Sequence, residues 1–181
     1  LQLGNSMPVR DWDSFAACTH KEIRLFVNRG INGIDGTLST AFGAASMLSQ
    51  PLICLTGDLS FFHDLNGLRT ACELGLSGTI FVINNGGGGI FEYLPLSRAS
   101  HLFNEHILTP QHTSIEAVSR ALGAAYYCVA SLNEYSAVLE TSFLQQGIRV
   151  VEIRMPRAYS VAEHRRCWAS VSDAMNAFDL A

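Results

Sequence analysis

Several features are missing from this 181-residue chain, and each absence narrows what it can do. It has no lysine- or arginine-rich run, and its net charge is −4, which argues against nucleic acid as the main partner. No apolar run reaches the roughly 18 residues that span a bilayer, so no integral membrane segment is expected, and nothing resembles a signal peptide. The five cysteines, at 18, 54, 72, 128 and 167, are odd in number and contain no CxxC pair. That spacing argues against a disulfide framework or a zinc site and points to a reducing compartment. Neither GxGxxG after a first strand nor GxxxxGK[ST] occurs, so the common dinucleotide and nucleotide fingerprints are absent. Internal repeats, low-complexity tracts and linkers are absent as well.

What is present is apolar. Nearly half the residues are hydrophobic and only 15% are charged, as expected when most elements are buried on more than one side. Five short apolar runs punctuate the chain: IRLFVN (23–28), PLICLTGD (51–58), TIFVINN (79–85), AYYCVA (125–130) and IRVVEIRM (148–155). Each is continuous rather than alternating, the pattern of parallel strands covered on both faces. Helical patterns separate them. Phe62, Leu65, Leu68 and Cys72 recur at helical spacing, and Thr113 with Glu116 and Ser131 with Glu134 fit capping boxes. Gly147 stands where a helix would end before the last strand. The alternation predicts a doubly wound α/β domain, a parallel sheet of about six strands with helices on both faces. LQLGNS reads as the end of a strand running into a loop, with most of that strand upstream of Leu1. Residues 1–181 are therefore expected to be one domain from a longer chain. Residues 158–178 are expected to be a helix packed on the sheet, and 95–112 a long connection of the kind that is often functional.

In an open parallel sheet, ligands bind beyond the carboxyl ends of the strands. The unusual residues fall there: Gly4-Asn5-Ser6, Asn28-Arg29-Gly30, Gly57-Asp58 and Asn84-Asn85-Gly86-Gly87. Asp58 offers a carboxylate and Asn85 an amide oxygen one βα unit later, while glycines 86 to 89 let main-chain groups approach a ligand closely. Mg²⁺ takes an octahedron of oxygens, commonly one or two protein carboxylates with phosphate oxygens completing it. One carboxylate, one amide and one backbone carbonyl would leave room for a diphosphate. Taken singly, an Asp or Asn after a strand is most often an N-cap or turn residue, and four glycines can be a flexible turn. His101, His106 and His112 share the long connection without a metal-site pattern, and His63 follows the GDLSFF turn with no role assigned.

The spacing GD-(x)26-N, with an apolar strand before the Asn, resembles the cofactor signature of thiamin-diphosphate-dependent enzymes. The strings GNSMPVR, NRGINGIDGTLSTAFGAA, TGDLSFFHDLNGL and INNGGGGIFEYLP resemble more narrowly the C-terminal, diphosphate-binding domain of the MenD family, the 2-succinyl-5-enolpyruvyl-6-hydroxy-3-cyclohexene-1-carboxylate synthases. The resemblance implies thiamin diphosphate held through Mg²⁺ or Mn²⁺, with Asp58, Asn85 and the Gly87 carbonyl as metal ligands. It implies that Gly57, Leu59 and Ser60 join them around the cofactor and that Ile34 props it in a bent conformation. Ser6, Arg10 and Arg29 match residues facing the substrates, and Ile90, Phe91 and Leu94 an apolar wall. On pattern alone, Ile34 and the wall residues fit core packing equally well, and the arginines fit surface ion pairs. Three departures stand out: Leu59 replaces the family's more frequent Gly, Gly86 an Asn, and Gly89 a polar side chain.

The resemblance further implies a transferase of menaquinone or phylloquinone biosynthesis. It would decarboxylate 2-oxoglutarate and add the resulting succinyl-type carbanion to isochorismate, in the cytoplasm or a plastid. Its carboxylate partner for the aminopyrimidine belongs to a separate pyrimidine-binding domain, usually of a partner subunit in a dimer or tetramer. This domain alone would thus be the C-terminal part of a three-domain chain and inactive by itself. Two rivals stand beside it: another thiamin-diphosphate-dependent decarboxylase or carboligase of the acetolactate-synthase kind, and a non-catalytic ligand-binding or assembly domain of the same fold. Arginines suited to dicarboxylate substrates separate the first reading from the carboligase, and intact Asp58 and Asn85 separate it from the non-catalytic domain.

Overall fold

Strand-forming runs alternate with helix-forming ones, and the chain folds accordingly. The structure, a computed structural model, describes residues 1–48, 52–98 and 102–178. Six strands, β1 (Gln2–Leu3), β2 (Phe26–Val27), β3 (Ile53–Gly57), β4 (Gly78–Asn84), β5 (Ala125–Val129) and β6 (Ile148–Arg154), form one parallel sheet in the order β2-β1-β3-β4-β6-β5. The expected doubly wound fold is present, including the strand read at the start of the chain. The run at 23–28 contributes only Phe26–Val27, because its neighbour β1 offers just two residues for pairing, Gln2 to Phe26 and Leu3 to Val27.

Side chains alternate across the sheet and feed two cores. Cys54, Ile80, Val82 and Val150 pack with Leu38 and Phe42 of α2 (Thr37–Ala45), Phe61 of α3 (Asp58–His63), Leu68 of α4 (Leu65–Glu73) and Ile115 of α5 (Ile115–Ala121). The opposite face is smaller: Phe81, Val129 and Val151 meet Tyr135, Val138 and Leu139 of α6 (Leu132–Ser142). α1 (Met7–Phe15) leads from β1 towards β2. The chain leaves β1 in one direction for β2 and returns on its other side as β3. The strand order therefore splits at β1/β3, and there a crevice opens at the carboxyl edge.

Three local expectations are corrected. The cap of α5 is Ser114, not Thr113: its hydroxyl accepts from Ala117 N–H at 3.2 Å. Ser131 does cap α6, accepting from Glu134 N–H at 3.3 Å, but the Glu134 carboxylate reaches back one residue further, to Ala130 N–H at 2.8 Å. The closing helix, α7 (Arg157–Phe178), is present but does not lie on the sheet. It seats its first turns on α1 and on the 3-10 turn Gly89–Tyr93, through His164–Asp11 and Arg157–Glu92 ion pairs, and leaves Val171, Met175 and Phe178 exposed. The described parts of the long connection are ordered: a 3-10 turn at Pro95–Arg98 and a wide turn at Phe103–Ile107, with Phe103 and Leu108 buried.

Candidate functional site

A cavity of about 300 Å³ opens at the β1/β3 split. Ser6, Arg10, Arg29, Ile34, Gly57, Asp58, Leu59, Ser60, Asn85, Gly87, Ile90 and Phe91 all line it, so residues spread over most of the first half of the sequence meet at one place. Leu94 is the exception. It lines an adjoining cavity of about 370 Å³ with Phe15 and Trp168, and Arg10, Ile90, Tyr93 and His164 line both.

The polar heart is built from the ends of β3 and β4. Asp58 is the first residue of α3 and is buried at 2% exposure. Its Oδ1 accepts from Leu59 N–H and its Oδ2 from Gly87 N–H, both at 2.8 Å. Burial pushes this carboxyl up; the surrounding main-chain N–H groups pull it back down without compensating fully. A carboxylate so placed is poised for a cation. Beside it on the cavity wall, Asn85 Oδ1 is buried and has no hydrogen-bond partner among the described residues. An orphaned buried acceptor is costly, and a bound cation would satisfy it. The Gly87 carbonyl, the third expected ligand, accepts from Gly89 N–H at 2.9 Å, which leaves its second lone pair. Among the described residues no three His, Cys, Asp or Glu cluster as a metal site. The donor set here is instead one carboxylate, one amide and one carbonyl, a set of hard oxygens that suits Mg²⁺.

The glycines are there for geometry. Gly86 and Gly87 have φ of +78° and +132°, and a Cβ on Gly87 would lie 2.3 Å from the Leu108 carbonyl oxygen. A Cβ on Gly89 would meet Asn85 Nδ2 at 2.5 Å. At Gly87 the turn packs directly against the backbone of residues 108 and 109, at Gly89 against the Asn85 side chain, and at Gly86 only the positive φ favours glycine.

The opposite wall is tied by Asn5, a buried residue that sequence reasoning placed at the edge without a role. Its Nδ2 donates to the carbonyls of Asn28, at 2.8 Å, and Gly33, at 2.5 Å, and its Oδ1 accepts from Arg29 Nη1 at 3.2 Å. One side chain thus holds the NRGIN loop, and Ile34 after it, against the switch point. Arg10 donates to the Ser6 carbonyl at 2.6 Å. Ser6 itself has φ of +76°, an uncommon value for a non-glycine residue and a strain found at functional sites. Tyr93, Arg157 and His164 are among the lining residues that sequence reasoning did not name. Val161, His164 and Trp168 recur at helical spacing in α7, a stripe that signals His164 but neither Tyr93 nor Arg157. His63 is exposed on α3 and lines neither cavity, His106 and His112 are exposed in the long connection, and His101 lies outside the described residues.

Comparison with known proteins bears on the family and the fold. Residues 14–153 match the family described as thiamine pyrophosphate enzyme, C-terminal TPP binding domain. The chain is 42% identical over 172 residues to the 2-succinyl-5-enolpyruvyl-6-hydroxy-3-cyclohexene-1-carboxylate synthase of Geobacillus kaustophilus, covering 95% of this chain and 30% of the relative. It is 36% identical over 179 residues to the synthase of the same name from Listeria monocytogenes, covering 99% of this chain and 31% of that one. This chain thus spans about three tenths of the length of these curated relatives. The crystal structure of benzoylformate decarboxylase from Polynucleobacter necessarius superposes with a TM-score of 0.73 at 18% identity, over 87% of this chain and 30% of that one, a likeness of fold.

Proposed function

The chain belongs to the thiamine pyrophosphate enzymes, matching their C-terminal cofactor-binding domain, and from that premise we propose that it is the diphosphate-binding part of a 2-succinyl-5-enolpyruvyl-6-hydroxy-3-cyclohexene-1-carboxylate synthase. The observation that carries this reading is the meeting of buried Asp58 with the unsatisfied Asn85 Oδ1 on one cavity at the switch point. Asp58, Asn85 and the Gly87 carbonyl would hold Mg²⁺, and through it the diphosphate. When bound, thiamin diphosphate supplies the electron sink on which a 2-oxo acid can lose CO₂. The chain's own residues do the rest of this half of the site. Ile34, Ile90 and Phe91 supply apolar surface that excludes water beside the cofactor. Arg10 and Arg29 each commit one N–H to a neighbouring oxygen, and a guanidinium has five, so a planar fork remains for a substrate carboxylate. 2-Oxoglutarate and isochorismate both carry such carboxylates. The acid–base carboxylate facing the aminopyrimidine would come from a pyrimidine-binding domain, in a homo-oligomer, and no residue of this chain is assigned to it.

The test is product analysis. Full-length enzyme supplied with thiamin diphosphate, Mg²⁺, 2-oxoglutarate and isochorismate should release CO₂ and form the succinylated cyclohexene carboxylate. Turnover with pyruvate alone to give an acetolactate-type product would replace this reading with the carboligase, and no turnover of any 2-oxo acid would favour the non-catalytic domain.

A further inference from the structure

Glu152 is an oddity of the core. It sits on β6, an interior strand paired on both sides, in register with Val82 of β4 and Cys128 of β5, and it is 3% exposed. A buried carboxylate is costly unless fully hydrogen-bonded. Three donors converge on it from three strands. Asn84 Nδ2 reaches Oε1 at 2.7 Å, Arg154 Nε reaches Oε1 at 3.0 Å, and the Tyr126 hydroxyl donates to Oε2. Burial alone would push its carboxyl up, but these donors hold it below the usual carboxylate range, so it remains an acceptor.

Asn84 is the link to the site. An amide has one donor end and one acceptor end, and the network decides which way it points. A carboxylate accepts only, so Glu152 takes the Nδ2 end and turns Oδ1 outward. Oδ1 then accepts from Gly86 N–H at 3.2 Å. Gly86 opens the turn whose next N–H, on Gly87, binds Asp58 Oδ2, and Asn85 lies between Asn84 and that turn. We infer that Glu152 is a positioning residue for the cofactor site: through Asn84 it fixes the Gly86-Gly87 turn, and with it the alignment of Asp58 and Asn85. This rests on the proposed function, because it is the cofactor and its cation that the turn would serve.

The expected signature is a cycle of variants in the full-length enzyme, read as Kd for thiamin diphosphate at saturating Mg²⁺ by titration calorimetry. Circular dichroism fixes a temperature at which every variant is folded. Asn84→Asp keeps an acceptor for Gly86 but sets two carboxylates face to face, and should weaken binding about 10- to 100-fold, the scale for losing a group that orients metal ligands. Glu152→Leu removes the acceptor that orients Asn84 and should weaken it by a similar factor. Glu152→Gln alone should stay within about threefold, because its oxygen can still face Asn84 while its amide donates to the Tyr126 oxygen. Combined with Asn84→Asp, it should restore binding to within about threefold of wild type, since an amide now faces a carboxylate again and the exposed Arg154 side chain can turn its N–H to that carboxylate. Wild-type Kd in both Asn84→Asp and Glu152→Leu overturns the inference even if their melting temperatures fall, because a role in sheet stability alone moves Tm and not Kd. Failure of the double variant to recover overturns it too. A wild-type enzyme that binds no thiamin diphosphate would instead overturn the proposed function, and this inference with it.

Discussion

Gly87→Ala would test whether the turn at the end of β4 is as constrained as the geometry implies. Two costs stack at this position. Its φ of +132° lies where an L-residue is strained, worth about 1 to 3 kcal/mol. The new Cβ would also fall 2.3 Å from the Leu108 carbonyl oxygen and 3.2 Å from that of Thr109, both backbone atoms that cannot swing aside. Relief requires the turn to retreat from residues 108 and 109. That breaks the Gly88 N–H to Leu108 bond, 2.6 Å, and the Gly87 N–H to Asp58 bond, 2.8 Å, at about 1 to 3 kcal/mol each where a charged or buried group is left unpaired. The sum is about 3 to 9 kcal/mol, shared between folding and cofactor binding. Gly86→Ala is the internal control. It carries the positive φ, +78°, but its Cβ would meet nothing, so it should cost about 1 to 2 kcal/mol. Thermal melts of the apo enzyme combined with thiamin diphosphate titrations measure both portions. Gly87→Ala indistinguishable from Gly86→Ala would refute the argument, because the contact with Leu108 would then carry no energy.

Three further outcomes are expected. Arg10→Ala and Arg29→Ala should each lower kcat/KM for the carboxylate substrates by about 2 to 4 kcal/mol with cofactor Kd nearly unchanged, Lys rescuing only in part; steady-state assays varying each substrate check this, and normal kinetics would leave both residues only their hydrogen bonds to Ser6 and Asn5. Ser114→Ala should destabilise the protein by about 1 kcal/mol and Thr113→Ala by less than about 0.5, which denaturant melts distinguish and which an equal loss in both would contradict. His164 is pulled down by burial but raised overall by the Ser160 carbonyl and the Asp11 carboxylate. Its raised folded value means that the pair's stabilisation is full below the unfolded histidine value of about 6.5 and is lost as pH rises through the folded one. The Tm gap between wild type and Asp11→Asn should therefore be widest at mildly acid pH and close towards alkaline pH; a gap that widens instead would reverse the assignment.

The parts of this molecule legible in the sequence are those set by local pattern. Continuous apolar runs such as TIFVINN announce strands buried on both faces, and their order with intervening helices fixes a doubly wound sheet. Once that is known, polar residues at strand ends must share one edge, which makes Asp58, Asn85, Arg29 and Ser6 legible as one group. Long-range packing was not legible. Nothing near Gly87 in the chain says that Leu108 will press on it, and nothing near His164 says that Asp11, on α1, will receive it. Residues 158–178 read as a helix, but an apolar stripe does not say what it packs against, and this one leaves the sheet for the mouth of the cavity. Glu152 lies inside the run IRVVEIRM, which reads as one continuous strand and gives its carboxylate no part. Its role depends on three donors brought in from β4, β5 and β6 itself.

Calorimetric titration of thiamin diphosphate into the full-length enzyme tests whether Asp58 anchors a cation-held diphosphate. Binding should be tight with Mg²⁺, should collapse when EDTA removes the metal, and should be undetectable in Asp58→Ala with or without Mg²⁺. Affinity that is the same with EDTA, or that survives Asp58→Ala, would contradict the account.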